Sequence, residues 1–105
     1  MPKFVFAYHG GKTSMTPEEG QAHMTNWRQW VQSLGSAMID PGHAVGVSVT
    51  VSTSGVEDNG GPNPISGVSV VEAETLSDAV TMAQRSPHIS IGGSIEVAEV
   101  LNMEM

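Results

Sequence analysis

The chain has 105 residues, no cysteine, and a net charge of −7 from eleven acidic and four basic residues. This length predicts one domain, residues 1–105, that folds without disulfides or a cofactor. The four basic residues are scattered, so the sequence lacks the clustered Lys and Arg that bind nucleic acid. With no cysteine and no apolar segment of membrane-spanning length, the sequence predicts a cytoplasmic protein without a membrane partner.

The first predicted elements are a central strand and a capped helix. Residues 3–8 are apolar on both faces, as a strand in the middle of a sheet is. The run Thr16-Pro17-Glu18-Glu19 combines an N-cap, a proline at the first helical position and a glutamate that can return to the cap. The helix that starts there is predicted to end near Gly35. Its apolar stripe consists of Met24, Trp27, Val31 and Leu34, with Trp30 beside it.

The second half of the chain repeats this order of strand, helix and strand. Residues 44–53 alternate valine with small or hydroxylic residues, which predicts an edge strand with one solvated face. After a glycine-rich, acidic loop, residues 67–73 are apolar on both faces and predict a second central strand. Thr75 caps a short helix that Pro87 is expected to end. Residues 94–100 form the last predicted strand.

The element order predicts an α+β fold, the ferredoxin-like βαββαβ sandwich. In that fold four strands form one antiparallel sheet in the order 4-1-3-2, and both helices lie on one face. The opposite faces of the two central strands are then apolar and uncovered, which is typical of an interface. We therefore expect a homodimer, in which a second copy covers this face across a two-fold axis.

Several segments carry a resemblance to a known family: Lys3 to Tyr8, Trp30 to Gly35, Gly60 to Pro62, Gly67 to Glu74, Leu76 to Pro87 and Gly93 to Val100. They resemble the YCII-related family of the dimeric α/β barrel superfamily. The resemblance implies face-to-face dimers that have a cleft between sheet and helices in each subunit. In relatives, a histidine on the first helix and an acid are a suggested acid-base pair. His23 occupies the helix position, but Ser86 stands where relatives often carry the aspartate.

His23 is the first candidate for chemistry in this cleft. Helical spacing places it on one side of the helix with Trp27 and Trp30. An aromatic pocket with a titratable imidazole suits a planar ligand and proton transfer. The alternative is a boundary histidine that is half covered by packing. Tyr8 ends the first predicted strand and His9 follows it, at the end of the sheet where this helix begins, so we expect both to share the cleft with His23.

A rival cluster consists of Asp40, His43 and His88, which we expect at the opposite end of the sheet. The run Asp40-Pro41-Gly42-His43 also has the form of a type II turn, in which Asp40 would only form the turn. None of the histidines has a partner at metal-ligand spacing, so no metal site is predicted. The end of the sheet that carries the site is therefore open at this point.

Two hypotheses of different class follow. The first is a cofactor-independent lyase or isomerase that uses histidine acid-base chemistry on a small, aromatic-type substrate. The second is a small-molecule binding or regulatory dimer without catalysis. A histidine and a carboxylate within about 3 Å in the cleft would favour the enzyme. The candidate residues are His23, His9, Asp40 and His88 for catalysis and Tyr8, Trp27 and Trp30 for substrate binding.

Overall fold

The computed structural model describes residues 1–102, in which strands and helices follow one another along the chain. The strands are β1 (Lys3–Gly10), β2 (Met38–Ala44), β3 (Thr50–Ser52), β4 (Gly55–Glu57), β5 (Ile65–Glu72) and β6 (Gly93–Glu99). The helices are α1 (Pro17–Leu34), α2 (Leu76–Gln84) and α3 (Pro87–Ser90), and a 3-10 turn at Gly35–Ala37 joins α1 to β2. The predicted α+β class is confirmed. No helix in this part of the chain is long and apolar enough to cross a membrane.

The main sheet contains four antiparallel strands in the order β2-β5-β1-β6. Strands β3 and β4 pair with each other in a separate two-stranded sheet. Because β1 and β5 are central, their apolar patterns on both faces are explained by their positions. The arrangement is compatible with a ferredoxin-like fold.

The core lies between one face of the main sheet and the two longer helices. Phe4, Phe6 and Val71 on this face are at most 1 % exposed. The Phe6 ring stacks on Trp30 of α1, with ring centroids 6.3 Å apart. The Trp30 indole Nε1 donates a hydrogen bond of 3.0 Å to the carbonyl of Met82 in α2. This bond satisfies the polar atom of a buried indole and ties the two helices together.

The start of α1 is confirmed as predicted. Thr16 Oγ1 accepts a hydrogen bond from the Glu19 backbone N–H at 3.1 Å, and Glu19 Oε1 accepts one from the Thr16 backbone N–H at 3.1 Å. Pro17 occupies the first turn, and Gly35 ends the helix with a positive φ of 57°. Thr75 caps α2 through a bond from the Asp78 backbone N–H. These signals were readable because both partners lie within one helical turn.

The strand predicted at 44–53 is wrong. Its place in the main sheet is taken by β2, Met38–Ala44, which pairs with β5. The backbone N–H of Val45 donates to the carbonyl of Ser66 near the start of β5, and beyond this point the chain leaves the main sheet. Val47 is 100 % exposed. Alternation shows that a segment can be a strand, but a neighbouring strand must be present to pair with it.

The predicted type II turn at Asp40-Pro41-Gly42-His43 is a bulged part of β2. The register of β2 against β5 shifts on both sides of Asp40, and this irregularity accommodates the proline. Gly42 has φ 72°, and a Cβ there would overlap the carbonyl of Val68. Asp40 does form a local turn bond, since its Oδ1 accepts from the Gly42 backbone N–H at 2.8 Å. The sequence analysis therefore recognised the local turn formed by Asp40, but did not predict that the turn lies within a strand of the main sheet.

Pro87 begins a helix where it was expected to end one. Helix α2 ends at Gln84, and α3 starts with Pro87 at its first position. The Ser86 hydroxyl caps α3 by accepting a hydrogen bond from the His88 backbone N–H at 3.2 Å. This short helix fixes the place of His88. The last predicted strand is confirmed within one residue as β6.

Candidate functional site

A cavity of about 440 Å³ lies between α1, α3 and the end of the main sheet at which β1 finishes. This volume is in the range of small-molecule sites. We call the part lined by buried residues such as Tyr8 and His88 its inner end, and the part lined by exposed residues such as Lys12 and His43 its mouth. The lining side chains that are aromatic or titratable are Tyr8, Lys12, His23, Trp27, His43 and His88.

Tyr8 lies at the inner end and is 4 % exposed. Its hydroxyl is 2.9 Å from Ser69 Oγ, and Ser69 Oγ donates at 2.8 Å to the carbonyl of Pro41. Because Ser69 gives its proton to a carbonyl, it accepts the proton of Tyr8. Burial raises the pKa of Tyr8 to about 12. Tyr8 is therefore a neutral phenol at physiological pH, and its proton is held by Ser69.

The Tyr8 ring joins the helices around the cavity. It meets Trp27 of α1 edge-on at a centroid distance of 5.4 Å and His88 of α3 at 5.3 Å. His23 lies one turn before Trp27, with the two rings 6.5 Å apart. Trp30 does not line the cavity: it is 5 % exposed and belongs to the core. Of the two predicted indoles, the structure thus places only Trp27 where a ligand can reach it.

His88 is the most constrained imidazole of the cavity. Its Nε2 lies 2.8 Å from the backbone carbonyl of His9, so Nε2 carries the proton and the neutral ring keeps a lone pair on Nδ1. The residue is only 7 % exposed. A Cβ at Gly93 would overlap Nε2, and a Cβ at Gly11 would lie 2.9 Å from Cε1. Glycine at both positions leaves the space that the ring occupies.

His23 and His43 line the outer part of the same cavity. His23 is half-buried on α1, whereas His43 is exposed at the end of β2. Among the described residues, neither imidazole has a hydrogen bond to protein. Both rings are therefore available to a bound molecule or to water.

The structure places His9 and Asp40 outside the cavity. His9 follows Tyr8 on β1 and points to the opposite face of the sheet. There its Nε2 lies 3.1 Å from Glu96 Oε1, and its Nδ1 lies 3.0 Å from the carbonyl of Asn63. The expected sharing of one cleft by His9 and His23 thus fails, because neighbouring residues of a strand point to opposite faces. Asp40 is exposed and engaged with Gly42.

Members of both rival clusters line one cavity: Tyr8 and His23 from the first cluster, and His43 and His88 from the second. His43 was expected at the far end of the sheet because it follows the end of the first predicted helix, and His88 because the second predicted helix was expected to end there too. Strand β2 covers Met38–Ala44, so His43 is its second-last residue and lies at the end of the sheet where β1 also finishes. Helix α2 runs towards the same end, so His88 arrives there as well. The observed bounds of β2 therefore correct the expectation for His43, and the direction of α2 corrects it for His88.

Ser69 is the residue that the sequence analysis missed. It sits opposite Phe6 in the register of β1 with β5 and is 1 % exposed. Its position between Gly67 and Val71, on the inward face of a central strand, was the available clue. A hydroxyl at such a position needs a polar partner, and Tyr8 was the nearest candidate on the neighbouring strand.

Within residues 1–102, no three His, Cys, Asp or Glu side chains converge in a way that would hold a metal ion. A second depression lies at the opposite end of the sheet and has a volume of about 450 Å³. Its lining in the part of the chain that the structure describes has no histidine and no aromatic ring, and includes Glu72, Glu74 and Asp78. The cavity at Tyr8 is therefore the better candidate for chemistry.

Neither protein-family models nor curated proteins match this chain. Interpretation of the site therefore rests on its own geometry, and the relation to the YCII-related family stays a prediction.

Proposed function

We propose that the chain binds a small planar organic molecule in the cavity and transfers a proton on it with histidine, without a cofactor. The reaction class is a lyase or isomerase step. The observation that carries the proposal is the convergence of Tyr8, Trp27 and His88 at the buried end of one cavity, with His23 and His43 nearer its mouth. Apolar walls with a few placed polar groups are the general form of a small-molecule site.

His88 is the proposed proton acceptor. Its Nε2 proton is held by the His9 carbonyl, so the free base is Nδ1 on the side of Gly11. The carbonyl fixes the tautomer and supports the positive charge that forms on protonation, which is the part that a carboxylate plays in many catalytic pairs. Neighbouring residues of that loop, Gly10 and Lys12, line the cavity. A carbon acid seated against Tyr8 and Trp27 would lie next to this group.

A binding module without catalysis is favoured by one specific observation. Among the described residues that line the cavity, none is Asp or Glu, so these residues form no histidine and carboxylate pair there. The histidine and carboxylate pair seen at 3.1 Å, His9 with Glu96, is on the opposite face. Ser86, at the position where relatives often carry aspartate, caps α3 instead. In this second candidate function, the cavity binds a small molecule without catalysing a reaction on it.

The proposal is tested first by ligand binding. Planar aromatic compounds are screened for a rise in melting temperature, since a ligand that binds only the folded state stabilises it. Compounds that bind in the cavity should also change the fluorescence of Trp27, which lines it. Trp27→Phe is the matched control, because Trp30 remains as the buried indole. Hits that stabilise the protein equally well and perturb Trp30 in this variant would place binding elsewhere.

Replacement of the imidazoles then separates the two functions. In an enzyme, His88→Gln or His23→Gln should lower the rate by roughly 10²-fold or more, because general acid-base catalysis contributes that much. In a binding module the same variants should change affinity only modestly. His9→Gln is the control, since this side chain lies on the other face. A turnover that survives both cavity substitutions would contradict histidine catalysis.

We further propose that the working unit is a cytoplasmic homodimer of the YCII-related type. Helices α1 and α2 both pack on the face of Phe4 and Phe6. The other face of the central strands presents Val5, Ala7, Val68 and Val70, none of them fully buried. Cover by a second copy would bury these side chains, and light scattering should then give twice the 11.0 kDa mass of one chain.

A further inference from the structure

The charged and polar groups around the cavity have a composition unlike that of the whole chain. Lys12, His23, His43 and His88 line it, together with the neutral phenol of Tyr8. Within residues 1–102, no acidic residue is among its lining residues, although the chain has eleven acids and a net charge of −7. Three of the four histidines of the chain thus face one space that excludes carboxylates.

Three carboxylates, one each on α1, β2 and β6, are engaged outside the cavity. Glu19 Oε2 lies 2.6 Å from Lys12 Nζ, while Glu19 Oε1 accepts from the Thr16 backbone. Glu19 therefore offsets part of the charge of Lys12, but the Lys12 side chain is about half exposed and its ammonium has further donors. Asp40 is bound to the backbone of Gly42, and Glu96 pairs with His9 on the other face. The imidazoles of the cavity have no anionic partner from these residues.

We infer that the molecule bound in the cavity is a monocarboxylate with a planar, apolar body. The inference rests on the proposed function and names its ligand class. The carboxylate lies towards His23, His43 and Lys12, and the planar body lies against Trp27 and the edge of Tyr8. The ligand itself supplies the anionic partner that the protein leaves out.

Electrostatics supports this orientation. An imidazole N–H or an ammonium donates a stronger hydrogen bond to a carboxylate than to a neutral oxygen. A carboxylate also favours the protonated form of a nearby histidine, and both effects grow where water is displaced. The inner end offers little to an anion, because the proton of Tyr8 is held by Ser69 and that of His88 Nε2 is held by the His9 carbonyl. The charged end of a ligand is thus directed to the mouth.

Matched acid and amide probes test the inference. Benzoate is compared with benzamide, and 2-naphthoate with 2-naphthamide, because each pair shares its ring and nearly its shape. Affinity is measured by calorimetry, and binding in the cavity by the fluorescence change that Trp27→Phe abolishes. We expect each acid to bind about ten-fold more tightly than its amide or better at neutral pH and low salt. The preference should shrink as ionic strength rises, since the mouth is exposed.

Variants locate the group that recognises the charge. His43→Gln and Lys12→Gln should each reduce the preference for acid over amide by a few-fold while the amide affinity stays the same. His9→Gln and Arg28→Gln, which alter groups that do not line the cavity, should leave it unchanged. An acid preference that no cavity variant reduces would overturn the inference.

The remaining outcomes distinguish the inference from the proposed function. If acid and amide bind in the cavity with equal affinity, the anionic class is wrong and small-molecule binding stands. If amides of planar acids bind more tightly than the acids, the inference fails in the same way. If no member of either series perturbs Trp27 or the melting temperature at millimolar concentration, both the inference and the proposed function fail.

Discussion

Two valine-rich segments are buried to very different extents in this protein. In β5, Val71 is completely buried, whereas Val47 in the segment 45–51 is 100 % exposed. Strand β5 has β1 on one side and β2 on the other, and two helices cover its inward face. The segment around Val47 lies outside the main sheet, and next to it β3 pairs with β4 alone. Alternation decides which side chains share a face, and neighbouring elements decide whether that face is buried.

The exposed segment 45–60 also affects the overall shape of the molecule. The radius of gyration is 15.0 Å, compared with about 13 Å expected for a compact domain of this length. The principal extents are 45 × 42 × 18 Å, so the molecule is flat. A single sheet with helices on one face gives a thin layer, and residues 45–60 add to its breadth without adding to its core.

The largest expected effect on stability is on the face of the main sheet that α1 and α2 cover. Phe6→Ala should lower the free energy of unfolding by about 3–5 kcal/mol, because it removes a fully buried ring that stacks on Trp30. Val47→Ala should change it by less than about 0.5 kcal/mol, as exposed substitutions do. Chemical denaturation of both variants measures the contrast. A cost at Val47 similar to that at Phe6 would mean that the alternating segment is packed in solution.

The sequence predicted features of the fold whose partners are close in the chain. The capping box at Thr16 and Glu19 was found because its two bonds connect residues three apart. Strands β1, β5 and β6 were found because their patterns fit one pairing scheme. Strand β2 was misplaced, since Asp40-Pro41-Gly42 has poor strand propensity and the partner that accommodates it, β5, lies more than twenty residues away.

The same reasoning applies to the site. His23 and Trp27 were brought together correctly by helical spacing, and Tyr8 was recognised as their neighbour. The face of His9 could have been read from alternation with Tyr8, but the contacts of His88 could not. They depend on α3, on the carbonyl of His9 and on space left by Gly93, which no local pattern reports.

A substitution on the face of the main sheet opposite the helices should have an intermediate effect, between that of Phe6→Ala and that of Val47→Ala. Val70→Lys places a charge among the valines opposite the helices. In the proposed dimer this should cost on the order of 3 kcal/mol, because the interface would bury an unpaired ammonium. Light scattering should then show the monomer mass, and circular dichroism should show whether the fold survives. A variant that stays dimeric and equally stable would contradict assembly through this face.

Removal of the N-cap of α1 should have a smaller effect on the free energy of unfolding. Thr16→Ala should lower the free energy of unfolding by about 1 kcal/mol, because the Glu19 backbone N–H loses its partner at the start of α1. Thr16→Ser retains the hydroxyl and is the matched control. Thermal and urea unfolding measure both. An unchanged stability in Thr16→Ala would mean that the helix begins at a different residue, and the position of His23 would have to be revised.

The smallest expected effect concerns the pH dependence of the same helix start. The side chain of Lys12, followed by the backbone of Thr16, holds the pKa of Glu19 below the ordinary value of 4.5. Stability from this group is therefore present above pH 4.5 and is lost as pH falls from there through the lowered pKa of the folded state. Glu19→Gln retains an oxygen for the Thr16 N–H but has no charge for Lys12. Its unfolding free energy should thus fall less steeply on acidification than that of the wild type, with a small difference at neutral pH because both side chains are about half exposed. Urea titrations at pH 7 and pH 3 measure the two slopes, and identical slopes would show that the ion pair does not form in solution.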